Sequence, residues 1–211
     1  MRRPAQHVGW RSSRKGCLFS LVKPRSPVLD TLVRDHREMP TTYPDVGGTR
    51  AGLPPEYHHV RQVVELGGGD TVFQRAVEGL RQWQGHLLGG VDVAPHGAPV
   101  EEGTVLALAV RIVPVYITVV CRVIYVSEHP TQFAFAYGTL PHHLIEGEEA
   151  FVVERDHNDA VRFSVVAFFK PRGRAMRSVA PLVHLIDQRL VQRYLKGMQR
   201  HVAQGREDLG R

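Results

Sequence analysis

Between Val105 and Phe169 the chain is a succession of β-prone stretches with short polar joints, and one long amphipathic stripe follows them. Val105–Val113 and Val115–Val126 are rich in β-branched residues, which pack well on a pleated surface. Residues 104–126 are long enough in sum to suggest a membrane span. Arg111, Pro114 and Arg122 fall inside that run, however, and each is costly near a bilayer centre. Two strands therefore replace one membrane helix, and no transmembrane segment is expected.

Phe133–Gly138 alternates, with Phe133, Phe135 and Tyr137 on one face and Ala134, Ala136 and Gly138 on the other. Ala150–Arg155 and Val161–Phe169 extend the series, and the turn-forming residues 157–160 join them as a hairpin. Ahead of the series, Val60–Leu66 reads as a first strand and Val91–Ala94 as a weak one. Between these two, Phe73, Ala76, Val77, Leu80 and Trp83 mark one face of a helix with Asp70 as its N-cap. Residues 43–55 are rich in Gly and Pro and read as irregular loop.

The closing stripe is Val179, Val183, Ile186, Leu190, Tyr194, Met198 and Val202, spaced at three or four residues. A helix over Val179–Val202 would reach roughly 35 Å at ~1.5 Å per residue. Consecutive antiparallel strands form one sheet whose apolar face needs a cover, and only this helix is long enough. The expected fold class is α+β, a helix-grip in which a curved antiparallel sheet wraps a long C-terminal helix, usually leaving a cavity between them.

Composition narrows the function classes. The net charge of +6 is concentrated in residues 1–40, where nine Lys+Arg face three Asp+Glu, 9 − 3 = +6. The remaining 18 basic and 18 acidic residues balance to zero. A neutral body lacks the footprint that phosphate-backbone binding requires, so no nucleic-acid partner is expected. The Arg-rich residues 1–17 lack a clear amphipathic period and a signal-length apolar core. The expected division is a flexible basic tail over 1–20, one α+β domain over 21–203, and a disordered tail over 204–211. Two cysteines, Cys17 and Cys121, cannot build a disulfide framework. A reducing, cytoplasmic setting is expected, with Cys121 a small core residue.

The densest collection of chemistry is residues 137–149, YGTLPHHLIEGEE. Tyr137 shares a face with Phe133 and Phe135, so its hydroxyl would be a polar handle in an apolar pocket. His143 could titrate near neutrality, with Glu148 or Glu149 orienting it. The competing reading is a polar hairpin tip, in which Thr139 and Glu148 bond backbone and Gly147 supplies a positive φ. His142 and His143, as neighbours on an extended chain, would point apart, and no metal site or cofactor motif is expected. The GGG at 67–69 lacks a phosphate-binding pattern and reads as a tight turn.

These residues resemble the uncharacterised protein family 0548, placed with the START-like, polyketide-cyclase-like helix-grip proteins. The motif is carried by Tyr137, Gly138, Thr139, Leu140, His143, Gly147, Glu148, Glu149 and Phe151. Supporting matches are Tyr43, Val46, Gly47 and Thr49, the helix positions Phe73, Ala76, Leu80 and Trp83, and Cys121-Arg122-Val123. The sequence departs from the family pattern at His142, where glycine is expected, and at Leu144, where proline is expected. The resemblance implies the START-like fold over residues 21–202 and no established reaction.

Together these readings point to a small hydrophobic molecule bound between sheet and helix. Tyr137, Thr139, His143, Glu148 and Glu149 are the expected ligand-binding residues. Two alternatives stand beside this. One is an enzyme with cyclase- or hydrolase-like acid/base chemistry on a hydrophobic substrate, using Tyr137, His143 and Glu148. The other is a partner-binding module with a filled core.

Overall fold

The computed structural model describes residues 19–209. The elements run β1 (Phe19–Ser20), α1 (Ser26–Asp35), α2 (Gly48–Ala51), β2 (His58–Gly68), α3 (Asp70–Arg81), α4 (Gln84–Leu88) and β3 (Val91–Ala94). They continue with β4 (Val105–Ile112), β5 (Val115–His129), β6 (Gln132–Thr139), β7 (Ile145–Arg155), β8 (Ala160–Pro171), α5 (Gly173–Ser178) and α6 (Ala180–Leu209). One antiparallel sheet holds every described strand, seven of them in the order β2-β8-β7-β6-β5-β4-β3, with β1 paired to β5. From β3 to β8 each strand pairs with the next in sequence. β2 closes the order beside β8. The apolar run 104–126 is the β4–β5 hairpin, and no helix among the described residues is long and apolar enough to cross a membrane.

Register shifts between Glu65 and Gly67 in β2 and between Val123 and Tyr125 in β5 add local twist to a sheet that must curve around a helix. Strand alternation then sorts side chains into two layers. Phe133, Phe135, Tyr137, Phe151, Phe163, Cys121 and Val123 join the main core on the inner face. Outside, Leu29, Leu32 and Val33 of α1 pack on Ala107, Ala109, Val120 and Leu140. Cys121 is a fully buried free thiol that burial pushes well above its usual range, as befits a core residue. Cys17 lies outside the described residues.

The helix α6 works as two halves. Its C-terminal half buries Val191, Tyr194, Leu195, Met198 and Val202 against α3, α4 and the sheet. Contact with α4 is so close that a Cβ at Gly197 would lie 2.5 Å from the Gly85 carbonyl oxygen, so only glycine fits. Its N-terminal half, by contrast, spans the cavity described below.

Several boundaries differ from the sequence expectation. Asp70 is the first residue of α3 and not its N-cap. Gly69 takes the cap position at φ 88°, outside ordinary L-residue conformations. Phe19 and Ser20, expected in the basic tail, pair with Ile117 and Tyr116 along the part of β5 that β6 does not reach. The tail expectation for residues 1–18 lies outside the described residues. At the other end, residues 204–209 are helical where disorder was expected. α3 braces this last stretch: Arg75 donates to the His201 carbonyl (3.2 Å), and its guanidinium fills the space beside Gly205. The link after β8 includes the short helix α5.

Candidate functional site

The inner face of the sheet and the N-terminal half of α6 enclose a cavity of about 340 Å³. Leu108, Val110, Val119 and Ala167 form its floor, and Val183, Ile186 and Leu190 form its roof. At one end it opens past Phe19, Val179 and Leu182, which are 40–54% exposed despite being apolar. Lys and Arg are absent from the described residues that line it. The filled-core alternative does not fit this space.

Polar groups gather at the inner end. Tyr137 and Glu149 are direct cross-strand partners on β6 and β7, so their side chains share the inner face. The Tyr137 hydroxyl donates to Glu149 Oε2 at 2.7 Å. His86 Nε2 lies 3.2 Å from the same hydroxyl oxygen. Because the Tyr137 proton is committed to Glu149, that contact calls for the Nε2–H tautomer of His86, giving a chain His86 to Tyr137 to Glu149. Burial holds the His86 ring neutral, lowering its pKa to about 3. Tyr194 adds a second buried phenol from α6.

Asp187 faces this chain from α6. Its Oδ2 atom is buried and accepts no hydrogen bond. Leaving such a group unpaired costs roughly 1–3 kcal/mol, so its persistence asks for a reason. Burial raises the Asp187 carboxyl to about 7. Burial likewise raises Glu149 to about 8, the charge of Asp187 adds to the rise, and the Tyr137 hydrogen bond opposes it. Both acids are thus raised into the neutral range, and no Lys or Arg among the described lining residues pairs with them.

The remaining expected residues divide differently from the sequence reading. Glu148, next to Glu149, points to the outer face, beside Phe168 of β8 and Gly138 of β6. Its carboxylate is 3% exposed and fully engaged there. It accepts from the Tyr43 hydroxyl (2.8 Å), the Gly47 amide (2.7 Å), the Thr49 amide (3.0 Å) and the Thr49 hydroxyl (2.5 Å). The Tyr43 ring lies over Gly138 so closely that a Cβ there would fall 2.0 Å from its hydroxyl oxygen. Glu148 is therefore a clamp on the loop that carries Tyr43, Gly47 and Thr49, its carboxylate engaged on the outer face although the residue also edges the cavity.

His143 lines the cavity, yet neither glutamate orients it. Its Nδ1 accepts from the Ile145 amide at 3.2 Å, and burial, reinforced by Arg172, lowers its pKa to about 3. The expected pairing of His143 with Glu148 or Glu149 does not form among the described residues, where Glu148 bonds the outer loop and Glu149 bonds Tyr137. Thr139 Oγ1 accepts from the Gly147 amide (3.1 Å) and lies 2.6 Å from Thr42 Oγ1, so it chiefly ties the hairpin together while edging the cavity. Gly147 has φ 153°, and the Phe168 carbonyl oxygen would stand 2.0 Å from any Cβ there.

Sequence reasoning missed His86 and Asp187. Asp187 had a usable signal, being a single acid between Val183, Ile186 and Leu190 on the apolar stripe of α6. His86 had none as clear, because α4 begins only after Trp83 takes a left-handed conformation at φ 59°.

Comparison with known proteins bears on the family and the fold. A family described as a domain of unknown function (DUF1990) matches residues 42–197. A UPF0548 protein of Deinococcus radiodurans is 30% identical over 196 residues, covering 87% of this chain and 98% of the relative. Among solved structures, a hypothetical protein of Helicobacter pylori superposes with a TM-score of 0.53 at 16% identity, over 77% of this chain and 96% of that one. The Zhui aromatase/cyclase of a Streptomyces species gives a TM-score of 0.51 at 12% identity, over 70% and 94%. These structures share the fold with this chain.

Proposed function

The chain belongs to the family defined by that domain of unknown function, and from its cavity we propose that it binds a small, largely hydrophobic molecule between the sheet and α6. The observation that carries this is the space of about 340 Å³ itself, lined mostly by apolar side chains with a few polar groups among them. Ligand sites are commonly clefts of roughly 300–1,000 Å³ with a few convergent polar groups. An apolar body would lie along Val110, Val119 and Leu190, while Tyr137 and Glu149 meet its polar end. Thr139 and His143 contribute wall, the latter as a neutral ring.

Titration with a neutral apolar fluorophore tests the reading. Saturable binding of one probe per chain is expected, lost in Leu108→Trp and Leu190→Trp variants that fill the space and remain folded. Binding that survives both substitutions places the probe elsewhere and ends the proposal.

A second reading, proton-transfer chemistry, is favoured by one feature: Glu149, raised into the neutral range and bonded to Tyr137, has the protonation balance of a general acid/base. Recovery of bound molecules from wild-type and Glu149→Gln protein separates the readings. Identical molecules from both support binding alone, whereas a different molecule accumulating in the variant supports turnover.

A further inference from the structure

We propose that the inner end of the cavity receives a protonated amine, held between the carboxyl groups of Glu149 and Asp187, so that the ligand is a hydrophobic molecule ending in a cationic nitrogen. This rests on the cavity-binding reading above and adds the chemical class of the ligand.

Three observations converge on it. First, two carboxyl groups from different elements, Glu149 of β7 and Asp187 of α6, line one apolar space. Second, Asp187 Oδ2 is buried without a donor, whereas the Glu149 carboxyl receives the Tyr137 hydroxyl. An ammonium group brings up to three N–H donors and no acceptor, which matches an end of the cavity that has acceptors to spare. Third, no described lining residue supplies a compensating positive charge.

The groups facing the pair are neutral in this setting. Tyr137 on β6, Tyr194 on α6 and Cys121 on β5 are all held protonated by burial, and His86 on α4 is held unprotonated. His143, at the cavity wall, is neutral for the same reason, and Arg172 acts on it. One turn before Asp187, His184 stacks on His58 of β2 at 3.9 Å between ring centroids, and burial lowers the His58 pKa. The same arrangement disfavours a carboxylate or phosphate ligand, whose charge would be added to two acids in a medium of low dielectric.

A cation binding here displaces the protons that the pair otherwise keeps. With Glu149 and Asp187 raised to about 8 and about 7, amine affinity should climb as pH rises from 6 to 8, and a neutral ligand should show no such climb.

The experiment uses the full chain and three molecules of equal length: decylamine, decan-1-ol and decanoate, each competing with a neutral apolar fluorophore below its aggregation threshold. The expected order is amine, alcohol, carboxylate, with the amine at least tenfold tighter than the alcohol at pH 8. Asp187→Asn should remove most of the amine advantage while alcohol binding persists, which separates loss of charge recognition from loss of the cavity. If the alcohol or the carboxylate displaces the probe as well as the amine does, the amine assignment is overturned and the cavity reading stands. If none of the three displaces it, the cavity reading fails and takes this inference with it.

Discussion

Glu148 and Glu149 are adjacent in sequence and serve opposite faces of β7: the first clamps the loop carrying Tyr43, Gly47 and Thr49, and the second holds the Tyr137 hydroxyl inside the cavity. The alternation of a strand does this without any further device. It also makes the two positions separable by experiment.

Glu148→Ala should cost stability, about 2–4 kcal/mol, because it strands buried donors from Tyr43, Gly47 and Thr49. Gly138→Ala should cost a comparable amount by displacing the Tyr43 ring. Chemical denaturation of the single and double variants should show strong non-additivity, since both break one clamp. Independent, additive losses would show that the clamp is not a unit.

Tyr137→Phe should cost about 1–3 kcal/mol of stability by stranding the buried His86 Nε2–H, and should raise the apparent pKa of Glu149, because the donated hydrogen bond favours the charged carboxylate. Carboxyl ¹³C NMR titration reads the shift directly. An unchanged or lower Glu149 pKa would mean that the bond contributes nothing to the titration.

Stability should fall as pH rises from about 6.5 to about 8. Glu149 and Asp187 have folded pKa values raised above their unfolded ones, so the folded chain binds the extra protons. That contribution is complete only below the unfolded values of 3.8 and 4.5, shrinks as pH climbs from there, and is gone once pH has passed about 7 and 8. Below about 6.5 the buried histidines act the other way. His86 and His143 have folded values lowered to about 3, so stability is lost as pH drops and the unfolded chain takes up protons. Between about pH 4.5 and 6.5 the two effects oppose each other, so thermal melts should be level there and fall above about 6.5; Asp187→Asn should soften that fall and, by removing its share of the opposition, make stability rise with pH below 6.5. A rise in melting temperature from pH 6.5 to 8 would contradict the placement of the acid pair.

His142→Gly should stabilise the fold slightly, by about 0–1 kcal/mol. His142 sits at φ 82°, a left-handed conformation that favours glycine, and its Nε2 is buried without a partner. The gain is offset by the greater chain entropy of an unfolded glycine. A clear loss in melting temperature would show that the His142 ring, edge-on to His36 at 5.9 Å, packs more favourably than its backbone suggests.

Much of the fold was legible because it depends on periodicity. The alternation of Phe133, Phe135 and Tyr137 and the stripe from Val183 to Val202 each select one face, and two such faces have few ways to meet. At His142, where the family resemblance led to an expected glycine, the backbone turns left-handed. The site was harder to read because it depends on register. Glu148 and Glu149 look equivalent in sequence until β6 and β7 are paired and Tyr137 falls opposite Glu149. Thr49 and Tyr43 lie 99 and 105 positions from Glu148, and no local pattern announces a contact at that separation. His86 reaches Tyr137 only because α4 packs against α6, a tertiary outcome.

The central claim is that the space under α6 is a ligand site, and two-dimensional NMR of the isotopically labelled protein titrated with decan-1-ol tests it most directly. Saturable shifts are expected at the wall and polar end of the cavity, at Leu108, Val110, Val119, Tyr137, Ile186 and Leu190. The outer-face cluster of Tyr43, Tyr57 and Phe168 should be left far less changed. Shifts concentrated on that outer cluster, or no saturable shifts at all, would contradict it.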